Sequence, residues 1–237
     1  MYGGNIYMSS EQSGKVIAII GAGPGMGLAI ARTFGNQGFK VALLSRNPGK
    51  LAPVLAELNS QGIEAAGFAA NVLERQTVVS GLEAVRQHFG RIDVLEYSPA
   101  DPTVARVAST EVTHDNAQEV FDFYAHGAIA AVREVLPEMV ERGSGTILFT
   151  PGASSIYPQL GHNMFANTAA ATAWLRNWSH ALHAGLAPQG VQVGHVAIAA
   201  WIGQPGATAE DIAPLYWELH TNRDEVEKEF FPEQTDN

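Results

Sequence analysis

A cluster of glycines near the start of the chain has the spacing of a phosphate-binding loop. Gly21, Gly25 and Gly27 follow the apolar run Val16–Ile20 and lead into a helical pattern. The commoner G-x-G-x-x-G spacing fails because its third glycine falls on Met26. Glycines let a backbone turn tightly and approach a pyrophosphate, whose charge meets free N–H groups at the helix start. A plain turn is the alternative. The dinucleotide interpretation assigns to this loop Gly21, Gly23, Pro24, Gly25, Met26 and Gly27.

The residues that end the second predicted strand indicate which dinucleotide to expect. Ser45, Arg46 and Asn47 stand where an NAD site usually presents a carboxylate to the ribose diol. A guanidinium attracts a 2′-phosphate, so NADP(H) is favoured over NAD(H), unless Arg46 is a solvated loop cation. Asn71 and Val72, after the third predicted strand, are candidates to hold the adenine, although Asn71 also suits a plain turn.

Three further side chains could move a proton. Tyr124 offers a phenol with an ordinary pKa of about 10, and core packing is its alternative role. Tyr157 and His162 fall in the loop after the fifth predicted strand, and histidine titrates near neutral pH. A surface or substrate contact is the alternative for His162. His180 and His183 share a helix face, but no third ligand is suggested, so we predict no metal site.

These residues are placed by an alternation of strands and helices. Short buried runs alternate with stretches of 3.6-residue periodicity, which predicts an α/β fold with a doubly wound parallel sheet, Rossmann-like and three-layered. We expect a flexible arm over residues 1–14 and one domain over 15–237. An amphipathic helical stretch from about Thr208 to Lys228 makes 203–237 a C-terminal substrate lid. The predicted strands are Val16–Ile20, Lys40–Leu44, Ala65–Ala69, Asp93–Tyr97, Thr146–Thr150 and Val191–Ala197.

Charge and composition exclude several classes of partner. The 237 residues include 24 acidic and 14 basic side chains, giving a formal net charge of −10 with no basic block. Nucleic acid and anionic membranes are therefore not expected partners. The absence of cysteine excludes disulfides, a thiolate nucleophile and thiolate metal ligands. Apolar runs such as Val196–Ile202 fall short of the roughly 18 residues that a membrane span requires. We therefore expect a cytoplasmic protein. Its expected partner is a small-molecule substrate.

Several motifs together resemble the short-chain dehydrogenase/reductase family. The resemblance covers about Lys15 to Ile202 and includes the glycine loop, Gly-Arg-Ile-Asp-Val at 90–94, Val-Leu-Pro-Glu-Met at 135–139 and Ala-Pro-Gln-Gly-Val at 187–191. It implies a nicotinamide cofactor, NADP(H) in view of Arg46, and a homodimer or homotetramer packed on the alanine-rich helix from about 163 to 187. The resemblance extends the cofactor site to Ser98, Pro99, Ala100, Thr150, Thr168, Thr172, Ile198 and Ile202.

The chain departs from the family where its chemistry is expected. The family's Tyr-x-x-x-Lys pair falls on Thr168 and Thr172, and Gly161–Leu175 contains neither tyrosine nor lysine. A threonine hydroxyl is far too weak an acid to replace that tyrosine. The family's serine matches Ser155 by its spacing from Thr168, with Ser154 nearly as close.

Tyr124 stands where the family has an active-site asparagine, and no sequence typical of the family's final strand is recognised. We therefore expect the seventh strand to be missing or altered. The resemblance implies an NADP(H)-dependent oxidoreductase that reduces a small carbonyl, enone or imine with a non-standard proton donor. The alternatives are a catalytically silent NADP(H)-binding sensor or scaffold, and a non-redox enzyme that reuses the pocket.

Overall fold

Seven parallel strands form the centre of the computed structural model, which describes residues 14–161 and 163–232. The strands are β1 Val16–Ile20, β2 Lys40–Ser45, β3 Ala65–Ala69, β4 Val94–Tyr97, β5 Gly145–Phe149, β6 Val191–Ile198 and β7 Glu227–Phe230. Their order in the sheet is β3-β2-β1-β4-β5-β6-β7. Strand order therefore reverses between β1 and β4, the position at which doubly wound sheets bind ligands.

Helices cover both faces of the sheet and confirm the predicted three-layer fold. The helices are α1 Met26–Gly35, α2 Ala52–Ser60, α3 Arg75–Phe89, α4 His114–Phe121, α5 Gly127–Glu141, α6 Ala166–Leu186, α7 Ala209–Ile212 and α8 Pro214–Thr221. One apolar core joins the sheet to α3, α5 and α6, and the other joins it to α1, α2, α7 and α8. All five residues of β1 are buried because alternate side chains enter opposite cores.

The C-terminal segment differs from the prediction. In place of one helical stretch from Thr208 to Lys228, two short helices are followed by strand β7. The seventh strand is therefore present rather than missing, with the sequence Glu-Lys-Glu-Phe. β7 pairs in parallel with β6, with His195 opposite Glu227 and Ile198 opposite Phe230. The strand lacks an apolar run because it lies at the sheet edge, where charged side chains remain partly solvated.

A π-helical turn over Asp122–His126 joins α4 to α5 without a break in helical conformation. The hydroxyl of Tyr97, at the end of β4, donates a hydrogen bond to the carbonyl of Phe123 at 2.7 Å. A Cβ on Gly127 would clash with that hydroxyl oxygen. Single π-helical turns occur often at functional sites, and this one carries Tyr124.

Three of the sequence predictions concern residues outside the described ranges. Most of the proposed N-terminal arm, residues 1–13, lies there, as do His162 and the last five residues. Within 14–161 and 163–232, none of the helices combines the length and the apolar character required to span a bilayer.

Candidate functional site

A cavity of about 890 Å³ opens at the carboxyl ends of β1, β4, β5 and β6. Its size is near the upper end of the roughly 300–1,000 Å³ typical of small-molecule sites. It extends from the glycine loop to the aromatic residues after β6 and β7. The predicted site residues that line it are Gly21, Gly23, Gly25, Met26, Gly27, Ser98, Pro99, Ala100, Tyr124, Thr150, Ser154, Thr168, Thr172, Ile198 and Ile202.

Two glycines of the loop are required by the fold. Gly21 has a φ of +93°, and a Cβ there would lie 2.5 Å from the Cα of Pro99. Gly27, in the first turn of α1, would place a Cβ 2.9 Å from the Cα of Ala22. The loop therefore packs against the end of β4 and against its own helix, contacts that only glycine permits.

The other loop glycines leave room for a ligand. A Cβ at Gly23 or Gly25 would meet nothing within 4 Å, and both residues line the cavity. The first N–H groups of α1, which begins at Met26, have no partners within the helix and carry its positive dipole end. This open backbone at a helix N-terminus fits a pyrophosphate. Pro24 belongs to the same turn but does not line the cavity.

A buried carboxyl lies beneath the cavity floor. Glu96, in the middle of β4, has no exposed surface, and it accepts hydrogen bonds from Ser98 Oγ at 2.8 Å and Thr150 Oγ1 at 2.7 Å. The hydroxyl of Tyr216 lies 2.7 Å from Thr150 Oγ1. Burial raises the pKa of Glu96 from 4.5 to about 7, against the two hydrogen bonds that favour its ionised form. Glu96 thus titrates near neutral pH and contacts two hydroxyls that line the cavity.

Tyr124 and Arg106 both line the cavity, and the charge of Arg106 acts on the Tyr124 phenol. Burial is the largest influence on the pKa of Tyr124 and raises it, whereas the charge of Arg106 lowers it. The Arg106 guanidinium lies 5.9 Å from the centre of the Phe165 ring, within cation–π range. The cavity therefore presents a phenol and a guanidinium to the same ligand volume.

Thr168 and Thr172, at the positions of the family's catalytic tyrosine and lysine, each carry a neutral hydroxyl. Thr172 Oγ1 donates to the carbonyl of Thr168 at 2.9 Å, so its proton is used within α6. Thr168 Oγ1 is buried and has no hydrogen-bond partner among the described residues. Ser154 lines the cavity, whereas Ser155 is buried outside its lining, and its Oγ has no hydrogen-bond partner in the part of the chain that the structure describes. Between the two serines, the one positioned to meet a ligand is Ser154.

The residues after β2 lie outside the cavity lining. Arg46 forms an ion pair with Asp101 at 2.6 Å between Nη1 and Oδ2, and the arginine side chain remains 55% exposed. Hydrogen bonds from Thr103 hold the pKa of Asp101 below its ordinary value, with Arg46 adding a smaller effect, so the aspartate is ionised. Ser45 Oγ is buried without a hydrogen-bond partner among the described residues, and Asn47 precedes a short 3₁₀ helix.

The asparagine after β3 is used in a turn. The Asn71 side chain donates to Glu74 Oε1 at 2.8 Å and accepts from the Leu73 amide at 3.3 Å. Val72 is 7% exposed and packs against the Gly127 backbone. Neither residue lines the cavity, so the turn interpretation of Asn71 accounts for its contacts.

Tyr157, the remaining described candidate acid, lies outside the lining. Its hydroxyl donates to Glu229 Oε2 at 2.9 Å, and this hydrogen bond is the main reason that its pKa is raised. A phenol whose proton is already held by a carboxylate is a poor acid for a substrate.

The structure groups His180 with His195 and Glu227, whereas the sequence spacing pairs it with His183. His180, His195 and Glu227 place one ligand atom each within 4.8 Å of one another. However, Arg176 occupies the same carboxylate through Nε at 2.5 Å and Nη2 at 3.1 Å. Burial lowers the pKa of His195 to about 4. The arginine supplies the positive charge that Glu227 requires, so we interpret this cluster as a structural ion pair.

Several residues that the structure places in or beneath the cavity were not identified from the sequence. Glu96 carried a signal, because a carboxylate within an apolar buried strand is uncommon. The loop after β4 gave no such signal, since its conformation depends on tertiary contacts. The additional lining residues of chemical interest are Arg106, Leu160, Phe165, Trp201 and Phe231.

The fold has counterparts among solved structures. The actinorhodin polyketide ketoreductase with NADPH has a TM-score of 0.83 at 21% identity, covering 96% of this chain and 99% of that one. An NADH-dependent reductase complexed with NAD has a TM-score of 0.81 at 20% identity, covering 93% of this chain and 96% of that one. These similarities establish the fold.

Similarity in sequence identifies the family. The 2,3-dihydro-2,3-dihydroxybenzoate dehydrogenase of Bacillus subtilis strain 168 is 26% identical over 219 residues, covering 91% of this chain and 78% of that one. The family model described as short chain dehydrogenase matches residues 15–204, well over half of the chain. The chain therefore belongs to the short chain dehydrogenase family, as its motifs predict.

Proposed function

We propose that this protein is an NADP(H)-dependent oxidoreductase that transfers hydride to a small carbonyl, enone or imine. One observation carries the proposal: a single cavity joins the open glycine backbone at Gly23 and Gly25 to the protonatable groups around Thr150 and Tyr124. The open backbone at Gly23 and Gly25 would hold the pyrophosphate of a dinucleotide at the start of α1. The bound nicotinamide supplies the hydride, and the protein supplies binding, orientation and the proton.

The preference for NADP(H) rests on Arg46. Its pairing with Asp101 uses one N–H group of a guanidinium that has five, and more than half of the side chain remains exposed. The remaining N–H groups can bind a 2′-phosphate bidentately. Asp101 offsets part of this attraction by its own charge. We therefore propose a moderate preference for NADP(H), which loss of Asp101 would increase.

Two groups are proposed as sources of the proton. Tyr124 faces the cavity, so a substrate oxygen or nitrogen can reach its phenol directly. Glu96 acts through Ser98 or Thr150, whose hydroxyls connect the carboxyl to the cavity. Hydride addition to a carbonyl carbon forms a C–H bond and leaves an alkoxide. The Ser98 or Thr150 hydroxyl gives its proton to that oxygen and takes the proton of Glu96, which is left as a carboxylate.

Two further proposals concern a C-terminal lid over the cavity and the oligomeric state of the protein. We propose a single domain, with the segment after residue 203 acting as a lid, because Phe231 at its end lines the same cavity as the glycine loop. We also propose a homodimer or homotetramer. Ala170 is exposed on α6, and Trp174 and Trp178 stack on the same helix while remaining partly exposed.

Silent NADP(H) binding is the second candidate function. It is favoured by Thr168 and Thr172, because the first hydroxyl lacks a hydrogen-bond partner among the described residues and the second is bonded to the backbone of α6. Neither threonine reproduces an acid activated by a neighbouring cation.

The two candidates are separated by turnover. The purified protein is mixed with NADPH and a panel of ketones, enones and cyclic imines, and the NADPH absorbance band is followed while product is identified by mass spectrometry. We expect NADPH loss that matches product formation with at least one class. Saturable NADPH binding with no turnover across the panel would assign the protein to the silent class.

A further inference from the structure

Several large, exposed apolar side chains line the cavity. Trp201 is 62% exposed, Leu160 54% and Phe231 51%, and all three line the cavity. Phe165 packs against Trp201 with ring centres 5.6 Å apart. Large apolar side chains grouped at a cavity mouth typically mark a ligand-binding surface. Their rings present flat faces, which suit a planar ligand better than a compact one.

Arg106 is the one charged side chain among the described residues that line this cavity. It is exposed, and none of the ion pairs formed within 14–161 and 163–232 includes it. Of the nine other arginines, two donate to backbone carbonyls, Arg142 and Arg223. Five pair with a carboxylate: Arg32, Arg46, Arg86, Arg91 and Arg176. Among the described lining residues, Arg106 is thus the one fixed charge, and its positive charge favours an anionic ligand, although the charge of Asp101 also acts on the neighbouring phenol of Tyr124.

The position of Arg106 links this charge to the reacting end of the cavity. Its guanidinium lies over the Phe165 ring at 5.9 Å, a contact that restrains the long side chain. It is also close enough to Tyr124 to lower the pKa of that phenol. An anion bound by Arg106 therefore lies beside the proposed proton donor, with the aromatic rings beyond it.

We propose that the substrate is a planar, largely apolar molecule that carries one carboxylate, bound by Arg106 and packed on Phe165 and Trp201. The guanidinium fork matches the two oxygens of a carboxylate, and the rings accept the flat apolar body. The proposal rests on the proposed function, since it names the substrate class of the same cavity. It adds Arg106 as a specificity-determining residue.

The test uses 2-naphthoate as a non-reacting probe, with 2-naphthamide as its uncharged match. Calorimetric titration of the protein saturated with NADP⁺ is expected to give a Kd for the acid about tenfold below that for the amide. Arg106→Gln should abolish the difference, and Arg106→Lys should retain part of it because the charge remains. Arg133→Gln removes one exposed positive charge on α5, outside the cavity lining, and should leave the difference unchanged.

Three results would overturn the proposal. The first is equal binding of acid and amide by the wild-type protein, and the second is an unchanged preference in Arg106→Gln. The third is a loss of NADPH affinity in Arg106→Gln with naphthoate binding unaffected, which would assign Arg106 to a cofactor phosphate. Failure of the proposed function is a separate result, because NADPH binding and oxidation are measured without naphthoate.

Discussion

Thr150 donates its hydroxyl to the buried carboxyl of Glu96 across 2.7 Å, from the end of β5 to the middle of β4. The carboxyl has no exposed surface, and its other oxygen accepts from Ser98. A carboxyl in such a position is costly when ionised, because two neutral hydrogen bonds replace a full hydration shell. Its location beneath a ligand cavity, with a pKa raised by burial to about 7, gives it consequences for both catalysis and stability.

The catalytic consequence is a pH-dependent proton supply. If Glu96 recharges the cavity hydroxyls, the reductive rate should fall as pH rises through about 7, the pKa to which burial raises this carboxyl. Glu96→Gln should remove that inflection from the pH profile of kcat. The exposed Glu83→Gln variant is the control and should keep the wild-type profile. An inflection near pH 7 that survives in Glu96→Gln would show that another group titrates.

Tyr124→Phe tests direct proton donation by the phenol. Loss of a general acid typically lowers the rate by about 100-fold or more, so kcat should fall by at least that factor, with NADPH affinity unchanged, if the phenol is the donor, and should change little if Glu96 supplies the proton. The ring remains and still packs against Phe123, whose centre lies 4.9 Å away, so stability should change little. Wild-type kcat in Tyr124→Phe would exclude the phenol as donor.

Glu96 also predicts how stability changes with pH. Its pKa is raised from 4.5 in the unfolded chain to about 7 in the folded protein, so between these values the folded state retains a proton that the unfolded state releases. Stability from this group therefore falls as pH rises from about 4.5 to about 7. Glu96→Gln should gain stability relative to wild type between pH 5 and pH 8, on the order of 1–3 kcal/mol. Urea unfolding measures the difference, and a pH-independent difference would contradict the assignment.

For His220 we predict that folding stability changes with pH in the opposite direction. It is 9% exposed, its Nδ1 lies 2.9 Å from Thr146 Oγ1, and burial lowers its pKa from 6.5 to about 4. Between these values the unfolded state binds the additional proton, so the stability from this group falls as pH decreases from about 6.5 to about 4. His220→Gln should reduce the acid-side slope by up to about 1.4 kcal/mol per pH unit. The exposed His114→Gln is the control, and an equal effect of both variants would refute the assignment to burial.

Because Arg46 and Asp101 form an ion pair, substitutions of the two residues should change NADPH affinity in opposite directions. Arg46→Ala should weaken NADPH binding by about tenfold while leaving NADH nearly unchanged, because only NADPH carries the 2′-phosphate. Asp101→Asn should strengthen NADPH binding, since it removes the competing charge and retains an oxygen for Thr103. Parallel titrations with both dinucleotides measure the ratio. Equal changes for NADPH and NADH in Arg46→Ala would remove the phosphate contact from the account.

Most of the fold was predictable because its signals are local. The apolar runs of β1 to β6 and the glycines at 21–27 are properties of short segments, and the structure confirms the sheet that they imply. β7 was missed because an edge strand needs only one partner and no apolar run. The π-helical turn at Asp122–His126 has no comparable local signal, and the hydrogen bond from Tyr97 to the Phe123 carbonyl joins residues that are far apart in sequence.

The site was predictable only in part, for a related reason. The cavity lining contains most of the residues assigned to the cofactor after β1, β4, β5 and β6, since strand ends fix their positions. Side chains on longer loops depend on packing that periodicity does not encode. Arg106 and Trp201 were missed in this way, and Asn71 is engaged in a turn outside the lining.

The central claim is that the glycine loop and its cavity bind a nicotinamide dinucleotide, and calorimetric titration with NADPH and NADH tests it most directly. We expect saturable binding at one site per chain, tighter for NADPH. Gly23→Val should weaken it by at least about tenfold, because the new side chain enters open cavity space where the pyrophosphate would lie. Gly185→Val, on α6 with equal free space, should bind as wild type. Absence of saturable binding for both dinucleotides to the folded wild-type protein would contradict the account.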